Sequence, residues 1–140
     1  MTQINKYLIC ACFFVLVFTA CRPPAGRVPE EDRIHLSQDA FNLSSDEQVI
    51  TVSSDKRFDI SAIYFDDVTV SVSYSGIDPD THLTLYDTIK AEWLTIDYDE
   101  TNLLLNILVE NNDTGVKRNA RIQTYLCDTG AAISITQNAN

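Results

Sequence analysis

The sequence predicts an all-β fold, and three observations carry that expectation. From Ile34 onward apolar residues recur with period two, most strictly in Val68-Thr69-Val70-Ser71-Val72-Ser73-Tyr74, the pattern of strands with one face on a core. The glycines after residue 33 are Gly76, Gly115 and Gly130, each placed where a strand should end and each able to supply the positive φ that tight hairpins demand. No window of a dozen residues carries a helical apolar stripe. Short strands and frequent turns over residues 34–140 fit an immunoglobulin-like antiparallel β-sandwich of about seven or eight strands, with a small β-barrel as the alternative.

Before that domain, residues 1–20 read as a signal peptide: a polar start with Lys6, then an apolar run from Tyr7 to Ala20. That run falls short of the roughly 20 residues a membrane-spanning helix needs. Its ending, Val17-Phe18-Thr19-Ala20-Cys21, resembles a bacterial lipobox. The resemblance implies cleavage before Cys21 and acylation of its thiol, with Phe18 standing where Leu is commoner. One acyl chain binds a bilayer marginally, at about 0.8 kcal/mol per buried methylene, whereas two or three anchor firmly. Residues 21–33 follow as a linker; Pro23, Pro24 and Pro29 are three of the four prolines in the chain, and no apolar periodicity is present. The residue after Cys21 is Arg22, not the Asp that favours inner-membrane retention, so the expected address is the cell envelope, as an outer-membrane lipoprotein.

The strands are expected at Gln48–Ser53, Phe58–Phe65, Val68–Tyr74, Leu83–Tyr86, Trp93–Ile96 and Leu103–Val109. Two further strands are expected after these, one with Ala120, Ile122, Thr124 and Leu126 on one face and Arg121, Gln123 and Tyr125 on the other, and a final one marked by Ile133 and Ile135. The formal charge is −10, from 20 acidic and 10 basic side chains. With no basic run longer than a pair such as Lys117-Arg118, nucleic acid is not an expected partner. Of four cysteines, Cys10 and Cys12 lie in the leader and Cys21 is the lipidation site. Cys127 is left as a buried or half-buried small apolar residue with no intramolecular disulfide partner.

Trp93-Leu94-Thr95-Ile96, Asn111-Asn112, Gly115, Arg118, Ala120 to Ile122 and the closing Ile133-Ser134-Ile135-Thr136-Gln137-Asn138-Ala139 together resemble the BACON domain, the Bacteroidetes-associated carbohydrate-binding domain often found near N-termini. Val49 to Ser54 followed by Phe58 resembles its early strand, with Phe58 where Trp is more usual. The stretch Ala62–Ala91 is longer than in the family and predicts at least one extra hairpin. The resemblance implies an immunoglobulin-like sandwich in a lipoprotein or secreted protein, and a binding or spacer role with glycans such as mucin as the ligand class.

Catalysis is not expected. Asp113-Thr114-Gly115 and Asp128-Thr129-Gly130 look like the turn of an aspartic protease, but such enzymes face two aspartates at about 3 Å across two lobes, and these two flank a single strand. His35 and His82 have no partner at zinc-ligand spacing, and no Gly-x-Ser-x-Gly is present. The acid groups Asp97-Tyr98-Asp99-Glu100 with Asn102, and Asp78-Pro79-Asp80 with His82, lack the glycine and terminal Glu of a calcium loop. No cofactor or metal is expected. Glycan binding calls for exposed aromatics beside polar groups, which points to Tyr125 with Arg121 and Gln123, to Tyr86, and to Tyr98 in a loop between acids; Trp93 is expected in the core. Asp87-Thr88-Ile89 resembles the Asp-Thr-apolar acceptor of bacterial O-glycosylation and makes Thr88 a candidate modified residue. The competing expectation is a structural or assembly protein that pairs through an edge strand with a partner protein.

Overall fold

A computed structural model of the chain describes residues 28–66, 68–80, 84, 85 and 88–140. The leader, Cys21 and Tyr86 lie outside these residues. Among the described residues no helix is long and apolar enough to cross a membrane. A single 3-10 turn, Glu30–Asp32, precedes strands β1 (Ala40–Leu43), β2 (Gln48–Ser53), β3 (Asp59–Phe65), β4 (Val68–Val70), β5 (Gly76–Ile77), β6 (Thr84–Leu85), β7 (Ile89–Ala91), β8 (Leu94–Asp99), β9 (Leu104–Val109), β10 (Arg118–Leu126) and β11 (Thr129–Gln137).

Among the described residues nine strands form two sheets, ordered β1-β11-β10-β3-β4 and β2-β9-β8-β7, while β5 and β6 pair as a separate two-stranded sheet. In these sheets β2-β9-β8 and β3-β10-β11 stand as the B-E-D and C-F-G strands of an immunoglobulin sandwich do. The two sheets remain separate, so the barrel alternative does not apply. One pairing departs from the antiparallel expectation: β1 runs parallel to β11, with Ala40 opposite Ser134 and Leu43 opposite Gln137. The segment just before β1 bridges the other sheet, Leu36 to Ser54, so the first strand changes sheets at a corner. β1 has no strong period-two signal, since only Phe41 and Leu43 are apolar beyond Ala40; tertiary pairing makes it a strand.

Alternation places Ile50 and Val52 of β2, Leu94 and Ile96 of β8, and Leu105, Ile107 and Val109 of β9 against Ile122, Ile133 and Ile135 of the facing sheet, all buried. Burying each such side chain contributes about 1.5–3 kcal/mol. In β3 the inward residues are Ile60, Ile63 and Phe65, a step of three then two. A bulge explains the irregular step: Gln123 pairs with Ala62 but Thr124 pairs with Ile60, leaving Ser61 as the extra residue. The same bulge limits β4. Val70 pairs with Ile63, the next positions would meet the bulge, and the strand expected to run to Tyr74 ends at Val70.

The turns correct two expectations about glycine. The β3–β4, β7–β8 and β10–β11 hairpins turn on Asp66, Glu92 and Cys127, with φ of 50°, 51° and 51°. Of the three glycines only Gly115, at φ 72°, uses the left-handed region. Gly130 lies inside β11 and is needed for space: a Cβ there would sit 2.9 Å from the Thr124 carbonyl oxygen. Cys127, expected buried or half-buried, is exposed at its hairpin tip.

Candidate functional site

The outward face of the five-stranded sheet carries Tyr125 and Arg121. Both are exposed, Tyr125 by 47 %, because they alternate with the inward Ala120, Ile122 and Thr124 of β10. Register sets their neighbours. Arg121 stands opposite Ser134 on β11 and Tyr64 on β3, and Tyr125 stands opposite Gly130 and Asp59. A glycine beside Tyr125 leaves that flank of the ring uncovered. Four residues of strand separate Arg121 from Tyr125, about 13 Å, with Ala132 on β11 between them in register. The result is a shallow surface of small residues bounded by a phenol, a guanidinium and a second, half-buried phenol, Tyr64.

Gln123 sits on the same face, but its side-chain amide donates to the Ala131 carbonyl at 3.1 Å and the Thr124 carbonyl at 3.4 Å. Those donors brace the strand pair across Gly130. Tyr98 is corrected more fully. It belongs to β8, not to a loop; its ring stacks on buried Phe58 at 4.7 Å between centres, and its hydroxyl accepts the Phe58 N–H at 3.2 Å. The ring closes one end of the core and offers no outward platform. Tyr86 lies outside the described residues. Tyr64 joins this face, and its place between the inward Ile63 and Phe65 marks it as outward by parity.

Beside Gly130 a cleft of about 420 Å³ opens between the β10–β11 hairpin and the segment before β1, lined by Glu30, Arg33, His35, Asp128 and Thr129. Arg33 pairs with Glu30 at 3.2 Å. A second cleft, about 330 Å³, is lined by Ser71, Ser73, Tyr74, Thr88, Ile89 and Lys90 between the two sheet edges. Thr88 is exposed, and its hydroxyl donates to the Asp97 carboxylate at 2.6 Å.

The acid-rich loops are occupied by their own chain. The Asp99 carboxylate accepts from the Asn102 side chain at 2.7 Å and from the Asn102 and Thr101 backbone N–H groups at 3.1 Å. The Asn102 side chain, then its N–H, hold the Asp99 pKa below the ordinary carboxylate value. Arg57 pairs with Asp78 at 3.3 Å and also with Glu100, so the two acid groups meet on one guanidinium. Among the described residues no group of three or more His, Cys, Asp or Glu side chains is arranged to hold a metal ion. The two Asp-Thr-Gly turns stand at opposite ends of β10, too far apart to share a proton.

The far end of the sandwich, opposite the β10–β11 hairpin, holds a polar network. Trp93, expected in the core, is half-buried in the β7–β8 turn, edge-on to Phe65 at 5.5 Å and covered by Arg118. Arg118 Nε donates to Gln137 Oε1 at 2.8 Å. Buried Gln137 donates in turn to the carbonyls of Ser45, Asp46 and Glu110. Buried Asn112 donates to the carbonyls of Val116 and Asn138. These bonds fix the loops at this end of the sandwich.

No family profile matches the chain, and no curated protein matches it. Similar solved structures exist. The NMR structure of a protein from Bacteroides thetaiotaomicron aligns with a TM-score of 0.61 at 12 % identity, covering 85 % of this chain and 95 % of that one. Titin domain M7 aligns with a TM-score of 0.48 at 7 % identity, covering 77 % and 94 %. The first likeness is one of fold alone. The chain is an all-β protein of the immunoglobulin-like sandwich class.

Proposed function

We propose that the chain is a membrane-tethered lipoprotein of the cell envelope, outer-membrane by address, acylated at Cys21, whose BACON-like sandwich is a non-catalytic binding or spacer module with glycan as its ligand class. The observation that supports it is the pairing of Tyr125 and Arg121 on one outward face beside Gly130. A phenol ring with an open flank stacks on the apolar face of one sugar, while a guanidinium about 13 Å further along the strand hydrogen-bonds hydroxyls of another sugar in the same glycan. The cleft beside Gly130 extends that face with Arg33 and Asp128. The carboxylates singled out in the sequence instead hold their own loops.

The test is a glycan array on the chain from Arg22 to Asn140, repeated with Tyr125→Ala and Arg121→Ala. A bound glycan whose signal falls about tenfold or more in Tyr125→Ala supports the reading, the scale on which an aromatic anchor acts. A glycan signal that both variants leave unchanged removes this face, and no signal on any glycan leaves the spacer role. Labelled palmitate incorporated by the wild type and absent in Cys21→Ser tests the anchor.

The assembly reading has one observation in its favour. β2 is a six-residue edge of the four-stranded sheet, with Val49 66 % exposed, and a strand edge is a template for pairing. The last strand does not suit donation to a neighbour, because β11 is central between β1 and β10 and carries buried Ile133 and Ile135. A dimer that Val49→Lys abolishes would favour pairing through β2.

A further inference from the structure

Residues 30–37 are fastened to one end of the sandwich. The Lys56 ammonium donates to the backbone carbonyls of Glu31 and Arg33, the latter at 2.9 Å. The Thr129 hydroxyl, 3.0 Å from the Leu126 carbonyl, also lies 3.2 Å from the Asp32 carbonyl and shares its proton between the two. The His35 N–H donates to the Asp55 carboxylate at 2.8 Å, and Asp55 N–H returns a bond to the His35 carbonyl at 3.2 Å. Ser37 N–H donates to the Ser53 carbonyl, Ser53 N–H to the Ser37 hydroxyl, and Ile34 buries its side chain in the core. All of these partners lie at the end where the Cys127–Asp128 hairpin turns: Thr129 follows the hairpin directly, and Asp55 and Lys56 follow the last residues of β2. The direction in which the chain leaves the domain is therefore set by specific bonds.

We infer that the domain stands with its Cys127–Asp128 end toward the surface to which it is attached and its Trp93–Arg118 end outward. This rests on the reading of Cys21 as the attachment point. Six residues separate Cys21 from Val28, and a chain reaches at most about 3.6 Å per residue, so the attachment point lies within roughly 25 Å of Val28. The nine residues of β11 at about 3.3 Å each give the sandwich a length of roughly 30 Å. The far end can then stand about 55 Å away, whereas Tyr125, two residues before Cys127, belongs to the near half. The exposed Glu30, Glu31, Asp32, Asp55 and Asp128 outnumber the half-buried Arg33, Lys56 and Arg57 at the near end, a net negative charge that an anionic headgroup layer repels.

The chain from Cys21 to Asn140 contains every side chain that is buried among the described residues, from Ile34 to Gln137, and only two thiols, Cys21 and Cys127. Spin labels on both, read by pulsed electron resonance, are expected to give a distance distribution centred below about 35 Å. In Cys127→Ser with Lys117→Cys, at the opposite end of β10, the distance from Cys21 is expected to be longer by about 20 Å or more. Equal distances, or the reverse order, overturn the inference whatever the state of Cys21. Absence of palmitate on Cys21 in cells overturns the membrane as the facing surface while leaving the measured exit geometry intact, so the two failures are told apart.

Discussion

Arg118 holds its guanidinium carbon 4.3 Å from the centre of the Trp93 ring while its Nε donates to Gln137 and one Nη to the carbonyls of Glu110 and Asn111. Burial pulls the Arg118 pKa down, with Glu110 and Asp113 opposing, and an arginine stays charged through any such shift. Arg118 thereby ties the β7–β8 turn of one sheet to β10 and, through Gln137, to β11 of the other.

Arg118→Ala is expected to cost about 2–4 kcal/mol, the combined scale of a cation–π contact and several charge-assisted hydrogen bonds. Arg118→Lys recovers only part, since an ammonium cannot lie flat on the indole and bond sideways to Gln137 at once. Urea unfolding followed by the fluorescence of Trp93, the only tryptophan, measures both. Losses below about 0.5 kcal/mol in Arg118→Ala would contradict the network.

The glycines separate by cause. Gly130→Ala should cost about 1–3 kcal/mol, because the new Cβ would meet backbone, the Thr124 carbonyl oxygen at 2.9 Å, which cannot swing away. Gly115→Ala should cost about 1 kcal/mol through its φ of 72°. Gly76→Ala, with nothing within 4 Å and no positive φ, should stay within about 0.5 kcal/mol of wild type. Thermal melts of the three proteins rank them, and a Gly130→Ala protein as stable as Gly76→Ala would refute the close approach.

Two tyrosines that look alike in the sequence should behave oppositely. Tyr125→Ala is expected to leave stability within about 0.5 kcal/mol, as for other exposed side chains. Tyr98→Ala should cost about 2–3 kcal/mol by removing a ring stacked on Phe58 and the acceptor of the Phe58 N–H. Denaturant midpoints of the two variants check the contrast, and equal midpoints would refute the inward placement of Tyr98.

The Asp99 carboxylate gives a pH signature. Its folded pKa is lowered, chiefly by the Asn102 side chain, so its stabilising effect is complete above the ordinary carboxylate pKa and fades as pH falls through the lowered value. Asn102→Ala should move the Asp99 titration, followed by carboxyl-carbon NMR, upward toward the ordinary value of about 3.9. An unmoved titration would mean that the side-chain bond is not the cause.

Much of this fold is legible in the sequence wherever a strand is buried on one face and runs unbroken. β2 is read to the residue as Gln48–Ser53, and the parity of β10 places Ala120, Ile122 and Thr124 inward and Tyr125 outward. What resists reading is set by non-local partners. β1 is a strand because β11 accepts it in parallel; the bulge at Ser61 breaks the period of β3, and β4 ends where the ladder would meet that bulge. Cys127 is exposed because a two-residue hairpin carries it outward. The outward face of Tyr125 and Arg121 follows from parity alone. The commitment of the Gln123 amide, the inward turn of Tyr98 and the neighbourhood of Tyr64 require the register between strands, which no single strand encodes.

The most direct measurement of where a ligand sits is backbone amide NMR of the chain from Arg22 to Asn140, titrated with a glycan bound on the array. The account predicts that the amides of Arg121, Tyr125, Gly130, Ala132 and Ser134 shift together and saturably, while Thr51, Asn106 and Thr95 on the outer face of the other sheet stay fixed. Shifts confined to that other sheet, or to the Trp93–Arg118 end, would contradict it.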